Sequence, residues 1–314
     1  MTVSIGIALS PQHGRTIQDL LANADLAMYQ AKEAGRSRIQ VYTPDAEFHK
    51  RLQQQLYWKD QIEQALAEER FVLHFQPILD IERGTISHYE TLLRMVAPDG
   101  QIVAPGLFIP MAEQLGLIQR LDCMVLDKAL DIHRRLQARG NPAVLSVNLS
   151  GHSLADEALH RHLQQRLSAD DVDASRLIFE ITETAAVSNF ATAQRFIRKV
   201  KTLGCSFALD DFGVGFSSFY YLMHLPVDYV KIDGSFVKNL DHNPEDQALV
   251  SALADIAKRL GKKTVAEFVE NEAILRQLKE IGVDYAQGYH IGRPAPTLAA
   301  DAACLRRDQR EGGR

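Results

Sequence analysis

The fold of this protein is decided by a stretch in the middle of the chain, where residues 178–211 read IFEITETAAVSNFATAQRFIRKVKTLGCSFALDD. Two short apolar runs, Ile178-Phe179 and Phe207-Ala-Leu209, enclose a segment with apolar residues at helical spacing. Gly204 lies just before the second run, as is typical where a helix ends and a buried strand begins. The stretch therefore predicts a strand–helix–strand unit, and acidic residues follow both of its strands.

The same unit recurs along the rest of the chain. Gly140, Gly261 and Gly282 each end a helical stretch and precede an apolar run, and Asn243-Pro244 is a signal for a helix start. Before these units, residues 71–77 and 86–93 are strand-like and are joined by a turn. Repeated strand–helix units over about 250 residues predict a parallel barrel or a doubly wound sheet, both of the α/β class.

Residues 1–45 predict a small α+β unit of their own. It consists of a strand through Ile5, a helix that ends near Gly35 and a short strand through Ile39. So short a segment makes a poor independent core. We therefore expect the end of a domain whose beginning is missing, with a break at Thr43-Pro44-Asp45 before a long polar helix.

The composition is that of a soluble globular protein, with 24% charged and 46% hydrophobic residues in 314. A net charge of −5 argues against a broad surface for a nucleic-acid polymer. No stretch approaches the roughly 20 apolar residues of a membrane helix, so this chain is predicted to have no membrane segment. The cysteines Cys123, Cys205 and Cys304 form no CxxC pair, which favours a reducing, cytoplasmic location. Each is expected to be a small buried residue. A longer parent protein could nevertheless be attached to a membrane.

Polar side chains stand at the ends of the predicted strands. One acid after one strand is usually a helix cap, but this explanation weakens as the number of such acids grows. A barrel brings the carboxyl ends of its strands together on one face, where the active sites of such folds lie. The strand-end residues are Glu90, Asn148, Glu180, Asp210, Asp211, Lys231, Asp233, Glu267 and Gln287.

Only Lys231 and Arg94 are available to offset the five carboxylates that would converge on that face, which are those of Glu90, Glu180, Asp210, Asp211 and Glu267. Crowded carboxylates repel one another unless a cation is present. Carboxylate and amide oxygens without Cys or His favour Mg²⁺ or Mn²⁺. The adjacent Asp210 and Asp211 indicate two ions, which could clamp the attacking and leaving oxygens of a phosphodiester.

A glycine-containing loop, residues 212–218 with the sequence FGVGFSS, follows the two aspartates. It nearly matches the GxGxxG dinucleotide fingerprint, but Ser218 replaces the third glycine. Two carboxylates directly before the loop would also repel a pyrophosphate. We therefore expect a tight loop beside the metal site, with a purely structural turn as the alternative.

At these residues the sequence resembles the EAL-domain family of cyclic di-GMP phosphodiesterases, over about residues 50–300. Taken singly each matching motif is weak, but together and in this order they are specific. The motifs are Phe75-Gln76-Pro77-Ile78, Glu90-Thr-Leu-Leu-Arg94, Asn148-Leu-Ser150, Glu180-Ile-Thr-Glu183, Asp210-Asp-Phe-Gly213, Lys231-Ile-Asp233, Ala266-Glu267-Phe-Val-Glu270, Gln287-Gly-Tyr289 and Arg293-Pro294.

The first residues resemble the C-terminal end of a GGDEF (diguanylate cyclase) domain, notably in Ala24-Asp25-Leu-Ala-Met-Tyr29-Gln-Ala-Lys32 and Gly35-Arg36. The GG(D/E)EF signature itself is absent, so no cyclase activity is expected. We predict a GGDEF remnant at residues 1–45, an EAL barrel at residues 46–303 and a tail at residues 304–314. The parent would be a tandem GGDEF–EAL protein.

The resemblance implies a TIM-like (β/α)8 barrel with irregular first strands, which hydrolyses cyclic di-GMP to linear 5′-pGpG with Mg²⁺ or Mn²⁺, two ions per site. It also implies a homodimer, coupled to the site through the glycine loop. The metal ligands implied by the resemblance are Glu90, Asn148, Glu180, Asp210 and Asp211. Among the implied catalytic groups, Lys231 orients water, Glu267 acts as base or holds water, and Glu183 tethers the loop. The implied substrate contacts are Gln76, Arg94, Gln287 and Asp233.

Three residues depart from the common pattern of the family: Thr91, Val214 and Phe268, the last in place of the usual glycine after Glu267. None removes an expected ligand, although the large ring of Phe268 could alter how Glu267 is presented. An alternative function is a catalytically weak cyclic di-GMP receptor that signals through its dimer. A further alternative is a metal-dependent barrel enzyme that acts on a sugar or a carboxylate.

Overall fold

A computed structural model describes residues 3–33, 35, 37–43, 46–138, 140, 143–168, 171–214 and 219–298. The chain divides into two compact units, Met1–Tyr57 and Trp58–Arg314. The expectations for Pro44-Asp45, for the glycine loop beyond Val214, and for Arg36, Cys304 and the tail fall outside the described residues. The domain boundaries proposed at residues 45/46 and 303/304 therefore stay predictions.

The first unit contains a strand β1 (Ile5–Ile7), a helix α1 (Ile17–Glu33) and a strand β2 (Ile39–Val41), as the sequence predicts. The strands are parallel, with Ile5 opposite Ile39. The helix packs so closely on β1 that a Cβ on Gly6 would lie 2.0 Å from the carbonyl oxygen of Ala24. Only glycine fits at that contact.

The second unit is a barrel surrounded by helices. Its strands are β3 (Phe71–Asp80), β4 (Thr85–Val96), β5 (Ile102–Val103), β6 (Leu145–Asn148), β7 (Leu177–Thr182), β8 (Ser206–Phe212), β9 (Tyr229–Ile232), β10 (Lys263–Ala266) and β11 (Tyr285–Gln287). Helix α2 (Ala46–Ala67) leads into it, followed by α3 (Pro105–Gln114), α4 (Ile118–Ala138), α5 (Glu157–Leu167), α6 (Glu183–Ser188), α7 (Phe190–Lys201), α8 (Phe219–His224), α9 (Gly234–Val237), α10 (Pro244–Arg259) and α11 (Glu272–Ile281).

Eight of these strands close on themselves in the order β3-β11-β10-β9-β8-β7-β6-β4, and β3 pairs with β4 to complete the ring. β3 runs antiparallel to both of its neighbours, whereas the pairs between the other barrel strands are parallel. β5 pairs antiparallel with the C-terminal end of β4. The predicted barrel with irregular first strands is confirmed, and the doubly wound sheet is excluded.

The core lies inside the barrel and between its strands and the surrounding helices. Phe179 and Phe207, on adjacent strands, are fully buried with ring centroids 5.7 Å apart. Helix α7 buries Phe196 and Ile197, because its apolar residues recur on one face. Cys205 is buried in the same core, as expected, whereas Cys123 is only partly buried.

Local signals in the sequence set the helix ends. The side chain of Asn243 caps α10 by accepting a hydrogen bond from the backbone N–H of Glu245, and Pro244 begins the helix. Gly282 ends α11 at φ +87°, a left-handed conformation that favours glycine. No helix among the described residues combines the length and the apolar character needed to cross a bilayer.

Replacement of Phe179 by alanine is expected to lower the free energy of unfolding by about 3–5 kcal/mol, because a buried ring is lost and a cavity remains. Urea denaturation followed by circular dichroism measures this loss. The matched control is Phe219→Ala, whose ring is 43% exposed and whose removal should cost less than about 1 kcal/mol. Equal effects of the two substitutions would contradict the placement of the core.

Candidate active site

The centre of the site is the ammonium group of Lys231, which is buried on β9. Its Nζ lies 2.7 Å from Glu180 Oε2, 2.8 Å from Glu267 Oε1, 3.0 Å from Asp210 Oδ1 and 3.6 Å from Glu90 Oε2. These carboxylates come from β4, β7 and β8 and from the residue after β10. The barrel therefore brings together acids that are far apart in the sequence.

Strand register explains why these side chains meet. Asn148 at the end of β6 pairs with Glu180 on β7, and Asp210 on β8 pairs with Thr182. Glu267 follows β10 directly, and its backbone N–H donates to the carbonyl of Ile232 on β9. Parallel neighbours thus place these polar side chains at the same end of the barrel.

A hydrogen-bond network fixes the carboxylate of Glu90. Asn148 Nδ2 donates to Glu90 Oε1 at 2.7 Å, and Gln287 Nε2 donates to Glu90 Oε2 at 2.5 Å. Gln287 Nε2 also lies 3.2 Å from Gln76 Oε1, and Gln76 Nε2 donates to the carbonyl of Gly292. Since Gln76 and Glu90 are direct partners across the β3–β4 pair, the network joins β3, β4, β6 and β11.

Three carboxylates form a group that could hold a metal ion. One oxygen from each of Asp210, Asp211 and Glu267 lies within 4.8 Å of the others. Asp210 Oδ1 and Gln287 Oε1 are buried, and no hydrogen bond from the described residues reaches either atom. Lys231 Nζ, although 3.0 Å from Asp210 Oδ1, does not have hydrogen-bond geometry there. Oxygen donors with unused lone pairs suit a hard divalent cation.

The charges of the site shift the pKa values of its groups. Burial raises the pKa of Glu180 to about 8 and that of Glu267 to about 7, although Lys231 opposes both shifts. For Glu90, burial acts to raise the pKa, but Lys231 and the hydrogen bonds from Gln287 and Asn148 outweigh it and the pKa is lowered. The surrounding carboxylates outweigh burial at Lys231 and hold its pKa well above the ordinary value, so the amine stays protonated.

The other predicted site residues lie around this centre. Glu183 Oε2 accepts a hydrogen bond from the backbone N–H of Gly213, 3.1 Å away, at the start of the glycine loop. Arg94 is half-buried, and its Nη1 donates to the carbonyl of Leu93. Asp233 caps α9 by accepting from the N–H of Ser235 at 2.8 Å. The substrate contacts expected of Arg94 and Asp233 stay predictions.

The sequence analysis did not identify a buried acid that contacts the segment directly after Asn148. Asp122 on α4 is 6% exposed, and its Oδ2 accepts from the backbone N–H of Ser150 at 3.3 Å. The hydroxyl of Ser150 donates to Glu113 Oε1 at 2.7 Å. Together the two acids tie the segment after Asn148 to helices α3 and α4. Asp122 and Glu113 stand within helical segments, where no local pattern marks them out from ordinary surface acids.

A cavity of about 370 Å³ opens beside Glu90, Asp211 and Glu267. Gln76, Arg94 and Gln287 contribute to its polar wall, and Phe268 and Tyr289 to its apolar wall. Three larger grooves, of about 740, 760 and 490 Å³, lie elsewhere on this unit and contain none of the predicted site residues. The acidic side chains at the strand ends therefore lie beside a cavity that a ligand can enter.

The closed ring of eight strands, with β3 inverted, makes this protein a TIM-like barrel. The acidic cluster at the ends of its strands is its candidate active site. Residues 59–294 match the family described as EAL domain, and the chain belongs to that family. Residues 1–38 match the family described as diguanylate cyclase, GGDEF domain. Both resemblances read from the sequence are thus confirmed.

Two relatives illustrate the match. The chain is 40% identical over 298 residues to the cyclic di-GMP phosphodiesterase PdeB of Shewanella oneidensis, covering 94% of this chain and 34% of the relative. It is 36% identical to the bifunctional diguanylate cyclase/cyclic di-GMP phosphodiesterase MucR of Pseudomonas aeruginosa, covering 94% of this chain and 43% of MucR. The chain therefore spans less than half the length of these two relatives.

Solved structures show the same fold. The PaMucR phosphodiesterase in complex with c-di-GMP superposes with a TM-score of 0.73 at 34% identity, covering 77% of this chain and 98% of that chain. The FimX EAL domain from Pseudomonas aeruginosa bound to c-di-GMP gives a TM-score of 0.72 at 33% identity, with the same coverage.

Replacement of Lys231 by methionine should lower the free energy of unfolding by about 3–5 kcal/mol in chelator at pH 9, where Glu180 and Glu267 are ionised beside Lys231, because four buried carboxylates lose their ammonium partner. The loss should shrink as the pH falls and the carboxylates become protonated. Urea denaturation across pH measures it. The matched control, Lys263→Met, removes a surface pair with Asp284 and should cost less than about 1 kcal/mol. A loss that small for Lys231→Met would show that its ammonium does not hold the acids together.

Replacement of Asp122 by asparagine should stabilise the protein above pH 6. Burial raises the pKa of Asp122 to about 6 from an ordinary value of 3.8, so its contribution to stability is full below pH 3.8 and is lost as the pH rises through 6. Asparagine can still accept from Ser150 and carries no charge, so a gain of about 1–3 kcal/mol is expected at pH 7. Urea midpoints at pH 4 and 7 check this; a variant less stable than the wild type at pH 7 would contradict it.

Proposed function

We propose that this chain hydrolyses cyclic di-GMP to linear 5′-pGpG, with Mg²⁺ or Mn²⁺ held by its strand-end acids. The observation that carries the proposal is the convergence of Glu90, Glu180, Asp210 and Glu267 on Lys231 beside an open cavity. Membership of the EAL family and the cyclic di-GMP phosphodiesterase activity for which the relative PdeB is named support cyclic di-GMP as the substrate.

Glu90, Asn148, Glu180, Asp210 and Asp211 are proposed as the ligands of two ions. Their donor atoms are hard oxygens, and the unused lone pairs of buried Asp210 Oδ1 are suited to coordination. When bound, a pair of such ions lowers the pKa of a coordinated water and stabilises charge on the attacking and leaving oxygens. The site has a single ammonium group, that of Lys231, among five acids, so the binding of cations there is electrostatically favourable. The five acids are Glu90, Glu180, Asp210, Asp211 and Glu267.

Lys231 and Glu267 are proposed to act on the attacking water. The ammonium of Lys231, fixed by Glu180 and Glu267, can donate to the water and orient its lone pair towards phosphorus. The carboxylate of Glu267 lies at the cavity wall and can accept the proton that the water loses. The same carboxylate could instead hold a second water in place, as the resemblance also implies.

The cavity is proposed as the binding site of the nucleotide substrate. Arg94 brings a fixed positive charge for a phosphate, while Gln76 and Gln287 offer amide groups to the substrate's polar edges. Glu183 holds the backbone at Gly213, so it would position Asp211 and the loop that follows. Through that loop the site would be coupled to a homodimer. The named structures of relatives contain c-di-GMP, which supports the choice of ligand.

Asp210→Asn or Asp211→Asn should reduce the rate of cyclic di-GMP hydrolysis by at least a hundredfold, because each removes one ligand charge from the metal group. Chromatographic separation of pGpG after incubation with Mg²⁺ measures the rate, and chelator should abolish it in the wild type. The control Asp255→Asn changes an exposed acid on α10 and should leave the rate unchanged.

Three results separate the candidate functions. Turnover that needs Mg²⁺ and both aspartates supports the phosphodiesterase. Binding of cyclic di-GMP in chelator with no turnover in Mg²⁺ or Mn²⁺ would make the chain a receptor. Absence of both from a folded, metal-loaded sample would overturn the assignment to cyclic di-GMP and leave a barrel enzyme with another substrate.

A further inference from the structure

The sheet supports Asn148 on one side only. Asn148 is the last residue of β6, and the pairing of β6 with β4 ends one residue earlier, at Val147 opposite Thr91. On the other side Asn148 pairs with Glu180 of β7, and the backbone N–H of Leu149 donates to the carbonyl of Glu180 at 2.9 Å. The chain then leaves the barrel, so the direction of the Asn148 side chain depends on what holds the residues that follow it.

Ser150 fastens the chain two residues after this strand end. Its backbone N–H donates to Asp122 Oδ2 at 3.3 Å, and its hydroxyl donates to Glu113 Oε1 at 2.7 Å. The same hydroxyl oxygen accepts from the N–H of His152 at 3.2 Å and so caps the short turn of 3-10 helix that follows. Both donors of Ser150 are therefore engaged by acids of α3 and α4.

The two helices hold these acids in fixed positions. Ala112 and Leu121, which directly precede Glu113 and Asp122, are buried in an apolar cluster with Phe71 of β3. Hydrogen bonds that involve a charged group are stronger than neutral ones, and side chains on packed helices are placed more precisely than those on loops. Among the described residues, neither acid is in the wall of the cavity, so a contact with substrate does not explain their placement.

The amide of Asn148 needs such support because it is a neutral ligand. Its Nδ2 donates to Glu90 Oε1 at 2.7 Å, which leaves the amide oxygen as the atom able to bind a cation. A rotation of the backbone at residues 148–150 would break this bond and turn the oxygen away. Groups that orient a ligand from outside the coordination sphere typically change metal affinity about 10- to 100-fold.

We propose that Glu113 and Asp122 are positioning residues for the metal site, which act through Ser150 to fix the backbone that directs the amide of Asn148; this inference rests on the proposed function. Glu113 holds the hydroxyl of Ser150 and Asp122 holds its N–H, so each acid restrains a different atom of the same residue. The strand end is thus fixed from two helices outside the barrel.

The test measures the affinity for Mn²⁺ without nucleotide, by electron paramagnetic resonance of the free ion. Glu113→Ala and Asp122→Ala should each weaken Mn²⁺ binding about 10- to 100-fold, because Ser150 loses one of its restraints. Glu113→Gln and Asp122→Asn keep an acceptor oxygen for Ser150 and should stay within about threefold of the wild type. Circular dichroism first establishes that each variant is folded.

The matched control is Asp228→Ala. Asp228 accepts from the backbone N–H of Phe207 at 2.9 Å, the same kind of bond, but it lies at the start of β8 and β9, at the opposite end of the barrel. Its removal should lower the stability to urea and leave the Mn²⁺ affinity unchanged. The comparison therefore separates the positioning of a ligand from support of the fold.

A double-mutant cycle tests the route through Ser150. Ser150→Ala removes the hydroxyl that Glu113 accepts, so adding Glu113→Ala in that background should weaken Mn²⁺ binding no further. Asp122→Ala, which acts on the backbone N–H, should still weaken binding there. Since the Glu113 side chain is 31% exposed, this cycle also provides the test if Asp122→Ala does not fold.

Kinetics give a second readout. In Glu113→Ala the Mn²⁺ concentration that gives half of the maximal rate should rise by the same factor as the dissociation constant. At saturating Mn²⁺ the variant should recover most of its kcat, and the KM for cyclic di-GMP should be unchanged, because the residues of the cavity wall are intact.

Several outcomes overturn the proposal. Wild-type Mn²⁺ affinity in both alanine variants would show that the acids do not position the ligand. Equal losses in the alanine and the conservative variants would assign the effect to charge, and an equal loss in Asp228→Ala would assign it to stability. A wild-type protein that neither binds Mn²⁺ nor cleaves cyclic di-GMP would overturn the proposed function and this inference with it, whereas normal binding and turnover with indifferent variants overturns this inference alone.

Discussion

The ammonium of Lys231 is the interaction on which the rest of the site depends. Each carboxylate that surrounds it belongs to a different strand or strand end, so the group assembles only when the strands are in register. Buried carboxylates without a partner are strongly destabilising. The site end of the barrel is therefore held by charge, while the remainder is held by apolar packing around residues such as Phe179 and Phe207.

Departures from ordinary backbone geometry are concentrated near the same charges. Of the four non-glycine residues with positive φ in the described part of the chain, Asp211 and Phe268 border the cavity. Each directly follows an acid of the site, Asp210 and Glu267. Local preference is overridden at these two positions, which is the usual place for such conflicts in a folded protein.

Much of the barrel could be predicted from the sequence, because glycine-terminated helices and apolar runs are local signals. The inverted direction of β3 was not predicted, although the turn between residues 71–77 and 86–93 is a local signal of an antiparallel hairpin. The family resemblance indicated only that the first strands are irregular. The strand-end acids were predictable by position. The hydrogen bonds of Glu90 with Asn148 and Gln287, and the part played by Asp122, were not, because they join residues whose proximity depends on the completed barrel.

The inverted strand β3 also closes the barrel, because it pairs with the last strand, β11. Gln76 and Glu90 face each other within a hairpin that is local in the chain, whereas Gln287 arrives from the last strand, about two hundred residues later. The bonds that Gln287 makes to both side chains cross the join between the first and last strands of the barrel. A breathing motion at that join would separate the polar groups of the pocket before it disturbed the apolar interior, so the pocket and the closure of the cylinder form one cooperative unit.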